Sequence, residues 1–161
     1  MASLMSIPLE VLLQITRNLT TPDYCKMRLT CKHIEQTLFN AFSKEFFTKR
    51  QFMLTEFSLQ ALVAISKSKF SSSLKHVIFG LERPSLNHFR DLGGDNLNDF
   101  ARNNNLLQEY IGHNTLIHTG QDVDMLIEAF SNLGNLEIVG MRDFYSRSRY
   151  RDSPDIEWKS M

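Results

Sequence analysis

The sequence predicts a mainly α chain with an α/β C-terminal part. Three observations lead there. Apolar residues recur at helical spacing through the first fifty residues, a polar and asparagine-rich stretch occupies 85–120, and a helix-plus-strand pattern occurs twice, at 58–79 and 122–141. At 161 residues and 42% hydrophobic content, the chain can hold one domain, or a small module plus a second unit, each with a core.

The first helix opens at Pro8, which suits an initial turn because the N–H it lacks would have no intrahelical partner, and Glu10 follows where the helix dipole favours negative charge. Leu12, Ile15 and Leu19 form an apolar stripe, while Val11 and Leu13 lie about 100° to either side of Leu12. One core needs one stripe. The surplus implies a second buried face, filled by another part of this chain or by a partner protein. Thr21-Pro22-Asp23 restarts the chain with a capping residue, a proline for the first helical position and an acid in the first turn. Met27, Cys31, Ile34, Leu38, Phe42 and Phe46 then recur at intervals of three and four along one face, with a break expected between Thr30 and His33.

A unit of about 45 residues is near the lower size at which one core suffices without a metal, disulfides or a partner. Ile7-Pro8-Leu9-Glu10, then Leu12, Ile15, Leu19, Asp23 and the run Leu29-Thr30-Cys31-Lys32-His33-Ile34, resemble an F-box. Two positions depart from the usual pattern: Ile7-Pro8 stands for the Leu-Pro start, and Ile34 for the large aromatic near the motif's end. The resemblance implies a three-helix module over 1–52 that docks on the Skp adaptor of SCF-type ubiquitin ligases, and through it on a cullin scaffold. It also implies an adaptor contact drawn from Pro8, Leu9, Val11, Leu12, Ile15, Leu29 and Ile34; a helix that is apolar on two faces does not say which of these point inward. The string FFTKRQFMLTEFSLQALVAIS, Phe46 to Ser66, resembles the segment that follows the F-box in a group of fungal F-box proteins.

Residues 53–142 carry a repeat. SLQALVAIS at 58–66 overlays DVDMLIEAF at 122–130, matching Leu59, Leu62 and Val63 to Val123, Leu126 and Ile127. Each is followed by a strand-like piece in which Leu74, Val77 and Phe79 match Leu136, Val139 and Met141, the L-x-x-L-x-L spacing by which a leucine-rich repeat buries residues beneath a parallel strand. The expected architecture is therefore an N-terminal three-helix F-box followed by a partial, irregular leucine-rich-repeat-like array. Two unrelated helices, each followed by a short strand, would give the same pattern. Between the copies a loop with a Gly93-Gly94 turn leads into one helix interrupted by Asn103-Asn104-Asn105, and 143–161 reads as a polar loop or tail.

Eighteen basic and eighteen acidic residues cancel, so net charge singles out neither nucleic acid nor a membrane surface. No apolar run of ~18 residues is present, and Cys25 and Cys31 match neither a disulfide framework nor a zinc spacing, which fits a reducing, cytoplasmic or nuclear setting. No constellation supports catalysis, and no cofactor or metal is expected. His113 and His118 lack a neighbouring acid or thiol, the serines lack a Gly-x-Ser-x-Gly setting, and Asp122 and Asp124 sit where they would cap a helix. Arg147, Arg149 and Arg151 alternate with Ser146, Ser148 and Tyr150, but Asp143, Asp152 and Asp155 dilute the charge that nucleic-acid binding would need. The leading expectation is a substrate-recognition subunit that presents its second part to an unidentified target protein. The alternative from another class is a free-standing repeat scaffold whose first helices merely cap the array.

Overall fold

A computed structural model describes residues 7–81 and 97–142 of the chain. They fall into two compact units that meet at Lys49 and Arg50.

The first unit is three helices: α1 (Leu9–Arg17), α2 (Thr21–Arg28) and α3 (Lys32–Phe46). Pro8 is the residue before α1, in extended conformation, and its carbonyl accepts the N–H groups of Val11 and Leu12 at 3.1 Å. At the other end, Asn18 Nδ2 donates to the Gln14 carbonyl at 2.9 Å, closing the helix on one of its free acceptors. α2 is capped by Thr20 rather than by Thr21. The Thr20 hydroxyl oxygen accepts from the Asp23 N–H at 3.4 Å, and the hydroxyl donates to Asp23 Oδ2 at 2.8 Å, so cap and first-turn acid hold each other. The break expected near Thr30 is present. Cys31 is extended and precedes α3, so Met27 belongs to a different helix from Ile34 and Leu38.

α1 and α2 both pack on α3. Leu12, Ile34, Leu38 and Tyr24 are essentially solvent-free, with Phe42 and Phe46 beside them. Tyr24 meets Phe42 edge-on at 5.4 Å and Phe46 at 5.7 Å, an arrangement that matches the positive ring edge to the negative ring face. Arg28 lies over Phe42 at 4.2 Å and reaches Glu35 at 3.8 Å, so the cation is shared between a ring and a carboxylate.

The second unit runs β1 (Lys49–Met53), α4 (Glu56–Ser66), a 3-10 turn (Ser71–Ser73), β2 (His76–Gly80), α5 (Leu97–Thr119), α6 (Gln121–Asn132) and β3 (Ile138–Arg142). Its sheet has the order β1-β2-β3, and β2 and β3 are parallel with Val77 opposite Val139 and Phe79 opposite Met141. That register equals the 62-residue strand offset of the sequence repeat. A parallel pair needs a crossover, and here α5 and α6 supply it. α6 packs against α4, with Lys67 just past the end of α4 paired to Glu128 of α6. The core of this unit gathers Phe52, Leu59, Leu62, Leu74, Val77, Phe79, Leu116, Ala129 and Leu133. Fold class and pattern agree: three helices, then strands alternating with helices in a leucine-rich-repeat-like α/β arrangement.

Three details differ from the expectations drawn from the sequence. β1 has no counterpart among them, because the polar Arg50 and Gln51, which suggest a surface, are buried. α5 runs through Asn103-Asn104-Asn105 without interruption, although asparagine is a poor helix former. Asp122 and Asp124 do not cap α6. Gly120, at φ 73°, joins α5 to α6 in the left-handed conformation that glycine adopts without strain, and the two acids occupy the first turn instead. The Gly93-Gly94 turn and the segment 143–161 lie outside the described residues.

Candidate functional site

In the first unit the seven residues of the expected contact separate into two groups. Leu12 and Ile34 are fully buried and belong to the module's own core. Pro8 is exposed, and Leu9, Val11, Ile15 and Leu29 keep 42%, 43%, 38% and 69% of their surface accessible. The core closes without these side chains. Val11 and Ile15, one turn apart, lie on the same flank of Leu12, and Leu9 and Leu13 lie on the opposite flank at ~3.6 residues per turn. Leu29 stands at the C-terminal cap of α2, in the short connection to α3.

The Leu13 flank borders a groove of about 480 Å³ lined also by Thr16, Arg17, Tyr24, Ala41, Lys44 and Glu45. Thr16 is itself buried, and its hydroxyl donates back to the Leu13 carbonyl at 3.0 Å. Mixed charges at its rim give the groove no single sign.

The Thr20 hydroxyl holds the Asp23 carboxyl below the usual carboxylate range, and the nearby Lys26 ammonium at 3.5 Å adds to that. Neither partner is a nucleophile or a base poised for transfer. Among the described residues no three His, Cys, Asp or Glu side chains gather as a metal site, and no helix is long and apolar enough to cross a membrane. His113, in the second unit, is buried with Nδ1 3.0 Å from the Leu54 carbonyl, which ties α5 to the turn before α4; His118 is exposed, so the two histidines do not act together.

The three-helix unit thus leaves apolar side chains exposed on α1 and at the α2–α3 connection, beside a closed core. Residues 4–40 match the F-box domain. The match ends within α3 and covers less than a quarter of the chain. No curated protein and no solved structure matches the chain.

Within the F-box, sequence reasoning misses Tyr24 and the groove. Tyr24 lies three residues before Met27 and four before Arg28, at helical spacing for a shared face, but α2 is otherwise polar and its sequence, TPDYCKMR, carries no apolar stripe to reveal that spacing. The groove depends on α1 meeting α3 and has no local signature.

Proposed function

We propose that the chain is a substrate-recognition subunit of an SCF-type ubiquitin ligase, with residues 1–52 as the adaptor-docking module and 53–142 as the part that meets a target protein. The observation that carries this reading is the F-box match over residues 4–40, on a helix that leaves Leu9, Val11 and Ile15 exposed beside a finished core. The proposed contact is Pro8, Leu9, Val11, Ile15 and Leu29 on the Skp adaptor; Leu12 and Ile34 support it from inside. Through the adaptor the chain would reach a cullin scaffold. The role is non-catalytic. Holding a target close to the ligase-bound conjugating enzyme raises the local concentration of the target's lysines, an effect set by geometry rather than by bond chemistry. The leucine-rich-repeat-like second unit fits the presenting role, since arrays of this kind offer broad surfaces, and a cytoplasmic or nuclear location follows from the proposed partners. The resemblance of Phe46 to Ser66 makes a fungal adaptor the appropriate probe.

The test is co-expression of the full chain with a fungal Skp adaptor, comparing the wild type with Val11→Asp combined with Ile15→Asp. Both positions are exposed, so the variant is expected to keep its helical signal. Desolvated apolar anchors at interface centres cost on the order of 2 kcal/mol each when lost, so binding is expected to weaken by a factor of at least about 100. A folded wild-type chain that ignores the adaptor would sink the proposal. So would a variant that binds as well as the wild type, which would remove α1 from the contact.

A further inference from the structure

The internal repeat sets several exposed apolar side chains of the second unit beside counterparts that are covered. In the first copy, Leu59 and Leu62 of α4 and Val77 and Phe79 of β2 are buried, and Leu74 ahead of β2 is solvent-free. Their cover is the second copy: α6 lies against α4, and β3 pairs with β2 in parallel. In the second copy Leu126 and Leu136, which match Leu62 and Leu74, are partly buried against the same core, whereas the counterparts of Leu59, Val77 and Phe79 are open. Val123 and Ile127 of α6 are 53% and 63% exposed, and Val139 and Met141 of β3 are 51% and 77% exposed. The flank of α6 that faces α4 is marked by Glu128, which pairs with Lys67. Val123 and Ile127, one turn apart, fall on the other flank by helical phase. Val123, Val139 and Met141 thus stay open where Leu59, Val77 and Phe79 are covered one step earlier, and Ile127 is open where Val63 is partly buried.

β3 is the edge of its sheet among the described residues, and such an edge offers unpaired N–H and C=O groups to a further strand. Val139 and Met141 share the core-side register with Val77 and Phe79, so a strand added here would also have to bring apolar side chains to that side. At their observed exposures the four side chains present about 400 Å² of apolar surface per protomer, comparable to the largest patch of a typical monomer, which is often a functional one. Two such patches face to face, with the backbone edge between them, approach the ~1,000 Å² of total burial that a specific interface needs.

We infer that this face is a homodimer interface, in which β3 pairs antiparallel with β3 of a second copy about a two-fold axis through Gly140, and α6 packs against its symmetry mate. A two-fold contact is self-complementary, and this strand satisfies that condition. Centred on Gly140, the pairing sets Val139 opposite Met141 twice on the core side, and Ile138 opposite Arg142 on the other, so that no like charges of β3 face each other. Gly140 at the centre has room for a side chain: a Cβ there would lie 3.9 Å from Ile78, an ordinary contact, and its backbone is not left-handed. The inference does not depend on the F-box assignment.

The test uses the full chain in analytical ultracentrifugation between about 1 and 100 μM, a range suited to an interface of this modest size. A reversible dimer is expected. Ile127→Lys combined with Met141→Lys should weaken it at least tenfold while leaving the helical signal and the melting temperature unchanged. Phe57→Lys, at an equally exposed apolar residue on α4, should leave the dimer intact. Geometry is read separately from Gly140→Cys in a Cys25→Ser, Cys31→Ser background. Directly opposed residues of antiparallel strands have Cα atoms ~4.5–5.5 Å apart, within disulfide reach, so mild oxidation should give a covalent dimer. Arg142→Cys in the same background should not. A chain that stays monomeric across the range overturns the inference, and so does a dimer indifferent to the double variant. A dimer in which Gly140→Cys fails to cross-link also overturns it, since the strands are then paired otherwise. If the monomeric double variant melts well below the wild type, the face is covered by this chain itself, and the inference falls in that case too.

Discussion

The F-box unit and the α/β unit both expose apolar side chains, and they do so for different reasons. In the F-box the exposed set, Leu9, Val11, Ile15 and Leu29, flanks a core that is complete in itself: Leu12, Ile34 and Leu38 closed in by the rings of Tyr24, Phe42 and Phe46. In the α/β unit the exposed set is the second copy of a pattern whose first copy is buried, with Phe79 covered and Met141, its partner in the strand register, open. The comparison teaches that exposure alone does not identify a docking surface. In the F-box the surplus is extra to a finished module; in the repeat it is the second copy of a pattern that is covered in the first.

The sharpest way to break the contrast is to truncate matched positions of the repeat. Phe79→Ala is expected to cost about 3–5 kcal/mol, because it empties a packed site next to Phe130, whose ring lies 6.4 Å away. Met141→Ala, at an accessible site, is expected to change stability by no more than ~0.5 kcal/mol under dilute conditions. Chemical denaturation of both variants at low protein concentration measures the difference, and equal losses would mean that the second copy is as covered as the first.

A smaller effect sharpens the F-box side. Thr20→Ala removes the cap of α2 and is expected to cost about 1 kcal/mol, read from the melting of the first unit. Asp23 carries the pH dependence of this corner. Its pKa is lowered in the folded chain, first by the Thr20 hydroxyl and then by Lys26, so the folded state holds its proton less tightly than the unfolded state does. The associated stability is present above the ordinary carboxylate pKa and is lost as pH falls through the lowered folded value. Thr20→Ala should therefore flatten the acid limb of the stability profile; an unchanged limb would place the pH dependence elsewhere.

The smallest expected effect lies between the repeat copies. Lys75 and Glu137 are equivalent positions of the two copies and pair at 2.5 Å, and that hydrogen bond and charge lower the Glu137 pKa, with His76 contributing less. The pair is about half exposed, so Lys75→Ala should weaken the fold only marginally in low salt and not at all in high salt, as measured by denaturation in both. A clear loss that is insensitive to salt would show that the copies are held together by this charge pair rather than by the packing of Val77 and Phe79.

Much of this architecture is legible in the sequence. Spacing alone places α1, the break after α2, the long apolar face of α3 and both helix–strand copies, because helices and buried strands impose short, regular periods on neighbouring residues. The strand offset read from the sequence reappears as the register of β2 and β3. β1 is illegible because its buried Arg50 and Gln51 have no apolar alternation to announce them. Which of the adaptor residues are accessible is equally hidden, since Leu12 and Val11 are alike as residues and differ only in the direction their side chains leave the helix.

The sequence by itself determined most of the element types, their order, the F-box stretch and the repeat, all of which follow from local spacing and from residues within a turn or two of each other. The tertiary structure decided which flank of α1 faces α3, that Tyr24 rather than Met27 anchors α2, and that one copy of the repeat covers the other. Those outcomes depend on contacts between residues far apart in the chain, whose burial energy outweighs local preference and leaves no periodic mark in the sequence.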